Sequence, residues 1–147
     1  MSKDKITVKG EVTITLRDEK GEIKKQVKLP NLVTTIGKNE MAKLLANSSG
    51  FARPSHISVG TDNSAPAVGD TALGTEILRK PIATTGALGN KVTYTVSFLP
   101  GEATALLEEA GLFDAAAAGD MWARFLTGSF NKGANDTLDL SWSLLFT

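Results

Sequence analysis

Residues 138–146 have the sequence LDLSWSLLF, and this stretch decides the fold class. Leu138, Leu140, Trp142, Leu144 and Phe146 alternate with polar residues at 139, 141 and 143. Because successive side chains of a β-strand point to opposite faces, this period of two predicts a strand with one buried face. Its long and unbroken apolar face predicts a central position in a sheet.

The same alternation recurs along the rest of the chain. Even positions are apolar from Ile6 to Leu16, except at Gly10, which marks either a bulge or the point where a mobile arm becomes a fixed strand. A polar turn at 18–21 and renewed alternation over 23–29 predict a hairpin, which we expect Pro30-Asn31 to end. Further strands are predicted over 55–60, 76–82, 92–98, near Leu112 and over 121–130, with turns at 84–90 and 131–136 and a long surface loop at 61–74.

One segment changes to a helical period. Gly37, Met41, Leu44 and Leu45 fall on one helical face, and Thr34 or Thr35 can cap the start. We therefore predict a mainly β protein, an antiparallel β-sandwich or jelly-roll-like domain with one inserted α-helix at about 35–47. Residues 1–10 are expected to form an N-terminal arm or first strand, and residues 11–147 a single β-sandwich domain.

Composition mainly excludes classes of protein. The 147 residues include no cysteine and one histidine, so disulfide scaffolds, thiol catalysis and cysteine-type metal sites are excluded. No apolar run reaches the ~18 residues of a membrane span, and the first ten residues lack the apolar segment of a secretory signal, so we expect neither.

The 16 basic and 16 acidic residues balance, but they are unevenly distributed. Residues 1–30 carry eight basic and five acidic residues, and residues 99–147 carry two and seven. The two parts can attract each other within one fold or pair between copies.

The candidate chemistry is sparse. His56 has no second histidine or cysteine as a metal partner, and a neighbouring serine on a strand is expected to point away from it. The adjacent acids Glu108 and Glu109 are expected to diverge, which disfavours a glycosidase pair with Asp114 or Glu102. Asp62, Asn63 and Asp70 could bind calcium, although turn chemistry explains them equally well. We therefore expect no enzyme activity, no cofactor and no direct contact with nucleic acid.

Six blocks of the sequence consist of turn residues and strand cores rather than catalytic groups, and they span most of the chain from about residue 31. They are residues 31–39, 56–61, 69–79, 109–113, 131–134 and 142–146. Together these blocks resemble small virion structural proteins of tailed bacteriophages. Glu109-Ala110-Gly111-Leu112-Phe113 is also similar to a block of tail-collar and tail-fibre proteins.

The resemblance implies a non-enzymatic component of a virion, made in the cytoplasm of the host bacterium. The role it favours is a capsid decoration (cement) protein that binds the major capsid protein or other virion proteins, as a homo-oligomer for which a trimer is possible. The alternative is a tail, collar or fibre component that acts as an adaptor or host-surface binding module. Expected interface residues lie in the N-terminal segment and the long loop: Lys3, Lys5, Ile6, Val8, Lys9, Asp62, Asn63 and Pro66.

Overall fold

The computed structural model describes residues 5–48, 50 and 52–147. Nine strands and one helix lie in this part of the chain. In chain order they are β1 (Val8–Arg17), β2 (Ile23–Val33), α1 (Thr35–Leu45), β3 (His56–Gly60), β4 (Glu76–Pro81), β5 (Thr84–Leu88), β6 (Lys91–Phe98), β7 (Ala105–Phe113), β8 (Met121–Lys132) and β9 (Thr137–Phe146).

All nine strands form one curled antiparallel sheet, in the order β4-β3-β7-β8-β2-β1-β9-β6-β5. Strand β2 carries the sheet from one layer to the other, because its first part pairs with β1 and its last two residues, Leu32 and Val33, pair with β8. Residues 82 and 83 connect the two edge strands, β4 and β5. Ile82 N donates to Ser55 O, just before β3, and Ala83 N donates to Thr95 O on β6. The predicted mainly β fold with a single helix is confirmed.

The core lies between the two layers. Trp142 of β9 and Phe125 of β8 meet edge to face, with ring centroids 5.2 Å apart and an interplanar angle of 86°. Leu138, Leu140, Trp142 and Leu144 are all buried, and β9 lies between β1 and β6, so its predicted central position is confirmed. Burial of each large apolar side chain contributes about 1.5–3 kcal/mol.

The helix begins where its sequence predicts and ends two residues early. Thr34 Oγ1 accepts a hydrogen bond from Gly37 N at 3.0 Å and donates one to Met121 O at 2.6 Å, so the cap also fastens the helix to β8. The predicted apolar face is wrong at Leu45, which is 92% exposed. Gly37 and Glu40 form the most buried part of the helix surface, and Leu45 is its last residue, beyond the contact with the sheet.

Three strand predictions need correction. Strand β2 does not end at Pro30 but runs to Val33, because β8 pairs only from Leu32 onward and no ladder bond is required from Pro30 on that side. Gly10 is not a bulge, since the pairing of β1 with β9 is continuous through it. Residues 84–88 form strand β5 rather than a turn, because the chain reverses within Gly89-Asn90 alone.

Candidate functional site

Two ion pairs connect the basic first part of the chain to its acidic last part within one molecule. Arg17 pairs with Asp139 at 3.1 Å, and Lys24 pairs with the buried Asp136 at 2.8 Å. The hydrogen bond from Lys24 lowers the pKa of Asp136, with further help from the backbone N–H of Gly133. The sequence leaves open whether the basic and acidic parts attract each other within one fold or between copies, and these two pairs form within one fold.

Loop 61–74 is fastened by a buried ionic network that the sequence analysis missed. Arg124 of β8 is only 4% exposed and contacts Asp62 at 3.3 Å, Asp70 at 3.4 Å and the fully buried Glu109 at 3.8 Å. Glu109 also accepts hydrogen bonds from the backbone nitrogens of Asp62 at 2.8 Å and Gly74 at 2.7 Å. Asp62 and Asp70 are the two acids that the sequence offers for calcium binding. In the structure the guanidinium of Arg124 supplies the positive charge between them.

The adjacent acids of β7 diverge, as expected for a strand. Glu108 accepts hydrogen bonds from Ser129 Oγ at 2.7 Å and Ser129 N at 3.2 Å, whereas Glu109 faces the buried Arg124. Asp114 is held elsewhere, by Asp120 N at 2.8 Å and Trp122 Nε1 at 3.2 Å. The two adjacent carboxylates therefore do not converge on one cleft.

His56 has a neighbour that the sequence analysis did not expect. Ser55 Oγ lies 2.8 Å from His56 Nδ1, because Ser55 precedes β3 and is not bound by strand alternation. Burial and the positive charge of Arg79 lower the pKa of His56, which favours the neutral imidazole. A triad also needs a carboxylate that orients the imidazole, and none is hydrogen-bonded to His56 within the described chain.

A cluster of three carboxylates joins the helix to the β7–β8 turn. Glu40, Asp114 and Asp120 place one oxygen each within 4.8 Å of the others. A hydrogen bond from Lys43 lowers the pKa of Glu40, whereas burial and the negative charges of Asp114 and Glu40 raise the pKa of Asp120. Because Lys43 and Trp122 already contact two of the three acids, the cluster by itself defines no ligand.

A concave surface lies at the end of the molecule where β1 begins. This basic cleft has a volume of about 640 Å³. Its three lysines, at positions 9, 38 and 91, have no carboxylate within 4.0 Å among the described residues, and its one acid, Glu11, pairs with Lys28 at 3.4 Å. The lining residues that matter for its chemistry are Val8, Lys9, Asn31, Lys38, Leu88 and Lys91.

Asn31 lies at the centre of this surface. It lines the basic cleft and also a neighbouring hollow of about 400 Å³ that includes Pro66. Both polar atoms of its side chain are buried and lack a hydrogen-bond partner, and they lie over Gly10, where any Cβ would overlap them.

The predicted interface residues fall in different places. Val8 and Lys9 line the basic cleft, and Pro66 lines the neighbouring hollow. Lys5, Ile6 and Asn63 are exposed, with Ile6 at 80%, whereas Asp62 is part of the Arg124 network. Lys3 lies outside the described residues. The sequence analysis missed Lys38, Leu88 and Lys91. These residues are distant in the sequence, and only the fold brings them next to the start of β1.

No helix within residues 5–48, 50 and 52–147 has the length and apolar character needed to span a membrane. No known protein-family model matches this sequence, and a search of curated proteins finds no significant match.

Proposed function

We propose that this chain is a non-enzymatic structural component of a tailed-phage virion, and that it decorates the capsid by attaching to another virion protein through the basic cleft. The observation that carries this proposal is the set of unpaired lysines along the cleft. Several charges elsewhere pair internally, as Arg17 does with Asp139, whereas Lys9, Lys38 and Lys91 all line one cleft and have no carboxylate within 4.0 Å among the described residues.

The surface around the lysines suits a protein partner. Leu88 is 83% exposed and Val68 is 54% exposed, and both line the cleft. An apolar centre surrounded by polar and charged groups is the usual composition of a specific interface. The lysines would speed the encounter with an acidic partner, and the apolar side chains would contribute most of the burial.

The sequence blocks that resemble virion proteins also suit a scaffold of this kind. Residues 109–113 form most of β7, which is buried between β3 and β8, and residues 142–146 belong to the central strand β9. Loop 61–74, which carries part of the resemblance, is fixed by Glu109 and Arg124. Because the blocks fall on core strands and a fixed loop, the resemblance concerns the scaffold of the domain. Its position on the head of the particle is part of the proposal.

The test is the copy number of the chain in purified virions of the phage that encodes it, measured by quantitative mass spectrometry. A decoration protein should saturate expanded empty heads at a copy number set by the shell lattice. A copy number matching the symmetry of the tail or collar supports the alternative role and contradicts decoration. Complete absence from virions contradicts both.

A second measurement connects this role to the cleft. Purified protein carrying Lys9→Gln, Lys38→Gln and Lys91→Gln should bind empty heads at least about tenfold more weakly, and binding of the unchanged protein should weaken with added salt. Lys20→Gln is the matched control, because Lys20 is exposed in the β1–β2 turn at the opposite end of β1. Equal weakening by the control would contradict attachment through the cleft.

A further inference from the structure

We propose that strand β5 binds an extended acidic segment of a partner protein by strand addition, and that the lysines of the basic cleft hold the carboxylates of that segment. This inference rests on the proposed attachment through the cleft and names its mode and the chemistry of the partner. It joins two independent features of the structure, which are an open sheet edge and an unmatched cluster of positive charge.

The two edges of the sheet differ in their protection. Edge strand β4 carries Glu76, Arg79, Lys80 and Pro81, and charges and proline are the residues that block the pairing of an edge with another chain. Edge strand β5 has the sequence TTGAL, with no charge and no proline, and all five residues are exposed. Among the described residues it pairs only with β6, which leaves its outer backbone groups open.

Strand β5 is held in place for such pairing. Asn90, in the two-residue turn after it, donates from Nδ2 to Phe146 O at 2.6 Å and accepts from Phe146 N at 2.9 Å. At the other end, the hydroxyls of Thr84 and Thr95 are hydrogen-bonded to each other. An edge that is already ordered loses little conformational entropy when a strand is added, and this favours binding.

The end of β5 leads into the basic cleft. Leu88 is the last residue of β5, and it lines the cleft together with Lys91, Lys9 and Lys38. Leu88, Lys91, Leu145 and Lys9 are register partners in one row across the sheet, with Lys9 three strands away from β5. A segment that follows the added strand and turns across this row would reach Lys91 first and then the other two ammonium groups. Charge complementarity requires acidic residues in that part of the added segment.

A second copy of the chain fits this edge less well. Pairing of two β5 strands about a two-fold axis at Gly86 would place Leu88 of each opposite Thr84 of the other. Strand β5 contains no acid, so such a dimer would leave the lysines of both copies unmatched. The acidic partner segment is therefore the occupant that explains both features.

The experiment uses the purified full-length protein and a synthetic peptide of alternating glutamate and valine, with a glutamine and valine peptide as the neutral control. We expect binding in the micromolar to millimolar range by fluorescence anisotropy. Amide hydrogen exchange should slow at 84–88 when the peptide is bound. The neutral peptide should bind at least about tenfold more weakly.

Two controls separate strand addition from simple charge attraction. Two peptides carry N-methyl groups, one on the odd-numbered amides and the other on the even-numbered amides. Only the set of amides that faces β5 donates ladder hydrogen bonds, so one of the two peptides should lose binding and the other should keep it. Lys38→Gln with Lys91→Gln should weaken binding about tenfold or more, and Lys20→Gln should leave it unchanged.

Three results would overturn the inference. The first is binding that neither N-methylation pattern affects, the second is no binding of any peptide at millimolar concentration, and the third is a dimer of the protein alone that Ala87→Lys dissociates. All three are observed with purified protein, so they are distinguishable from failure of the proposed virion role, which is decided by the composition of particles.

Discussion

The guanidinium of Arg124 lies 3.8 Å from the carboxylate of Glu109, and neither side chain is more than 4% exposed. This pair connects β8 to β7 beneath loop 61–74, and Glu109 in turn accepts hydrogen bonds from backbone groups of that loop. The pair therefore sets the position of the loop as well as the spacing of two strands. Its removal should affect both stability and loop order.

Arg124→Met should destabilise the protein by about 3–5 kcal/mol, because it leaves the buried Glu109 charge without its partner. Urea unfolding measures the change. Arg17→Met is the matched control, since the pair of Arg17 with Asp139 is more than one-third exposed on both sides and should contribute only about 0–1 kcal/mol. If both substitutions cost the same, the burial of Arg124 has no energetic role.

The elements that the sequence predicts best are those with a strict period. The alternation in β1, β6 and β9 was sufficient because each of these strands has one face on the core. Strand β5 has no buried face, so its residues carry no such pattern and their sequence predicts a turn instead. Pro30 does not end β2, because the sheet requires no hydrogen bond from it on the side of β8.

The candidate site was less predictable, because it depends on contacts between distant segments. Lys9 was identified from the N-terminal segment, but Lys38 and Lys91 join it only when α1 and the β5–β6 turn reach the same end. One signal was available for the buried network. Arg124 stands between Ala123 and Phe125 in a strand buried on both faces, and such a charge requires a partner.

A second prediction concerns Gly10 and Asn31, which face each other across β1 and β2. Gly10→Ala should cost about 1–3 kcal/mol, because the new methyl group overlaps the side-chain amide of Asn31. In an Asn31→Ala background the same change should cost less than about 1 kcal/mol, because the overlapping atoms are gone. Chemical unfolding of the four proteins measures this coupling, and simple additivity would show that Asn31 moves aside freely.

The third prediction concerns pH. Burial and the negative charges of Asp114 and Glu40 raise the pKa of Asp120 in the folded protein above the unfolded value of ~3.9. This group therefore contributes most stability below pH ~3.9, when it is protonated in both states, and that contribution is lost as the pH rises through the folded pKa.

Asp120→Asn should accordingly raise Tm at pH 7, by roughly 2–4 °C for each kcal/mol of repulsion that it relieves. The advantage should shrink as the pH falls towards ~3.9, because Asp120 itself becomes neutral. Differential scanning calorimetry across this range measures the change. Asp18→Asn is an unsuitable control because Asp18 holds a turn, so Glu19→Gln in the same turn serves instead. A Tm difference that is independent of pH would contradict the assigned cause.

The fourth prediction separates helix propensity from packing. In an exposed helix interior, Gly→Ala stabilises by about 1 kcal/mol. At Gly37 of α1, however, an added Cβ would lie 2.5 Å from the backbone oxygen of Trp122, on the strand that receives the Thr34 cap. Gly37→Ala should therefore destabilise by about 1–3 kcal/mol, because α1 must move away from β8.

Gly86→Ala in β5 is the matched control, with nothing within 4 Å of its new Cβ, and should not destabilise. Urea unfolding measures both variants. A stabilised Gly37→Ala protein would mean that the close contact between helix and sheet is not required.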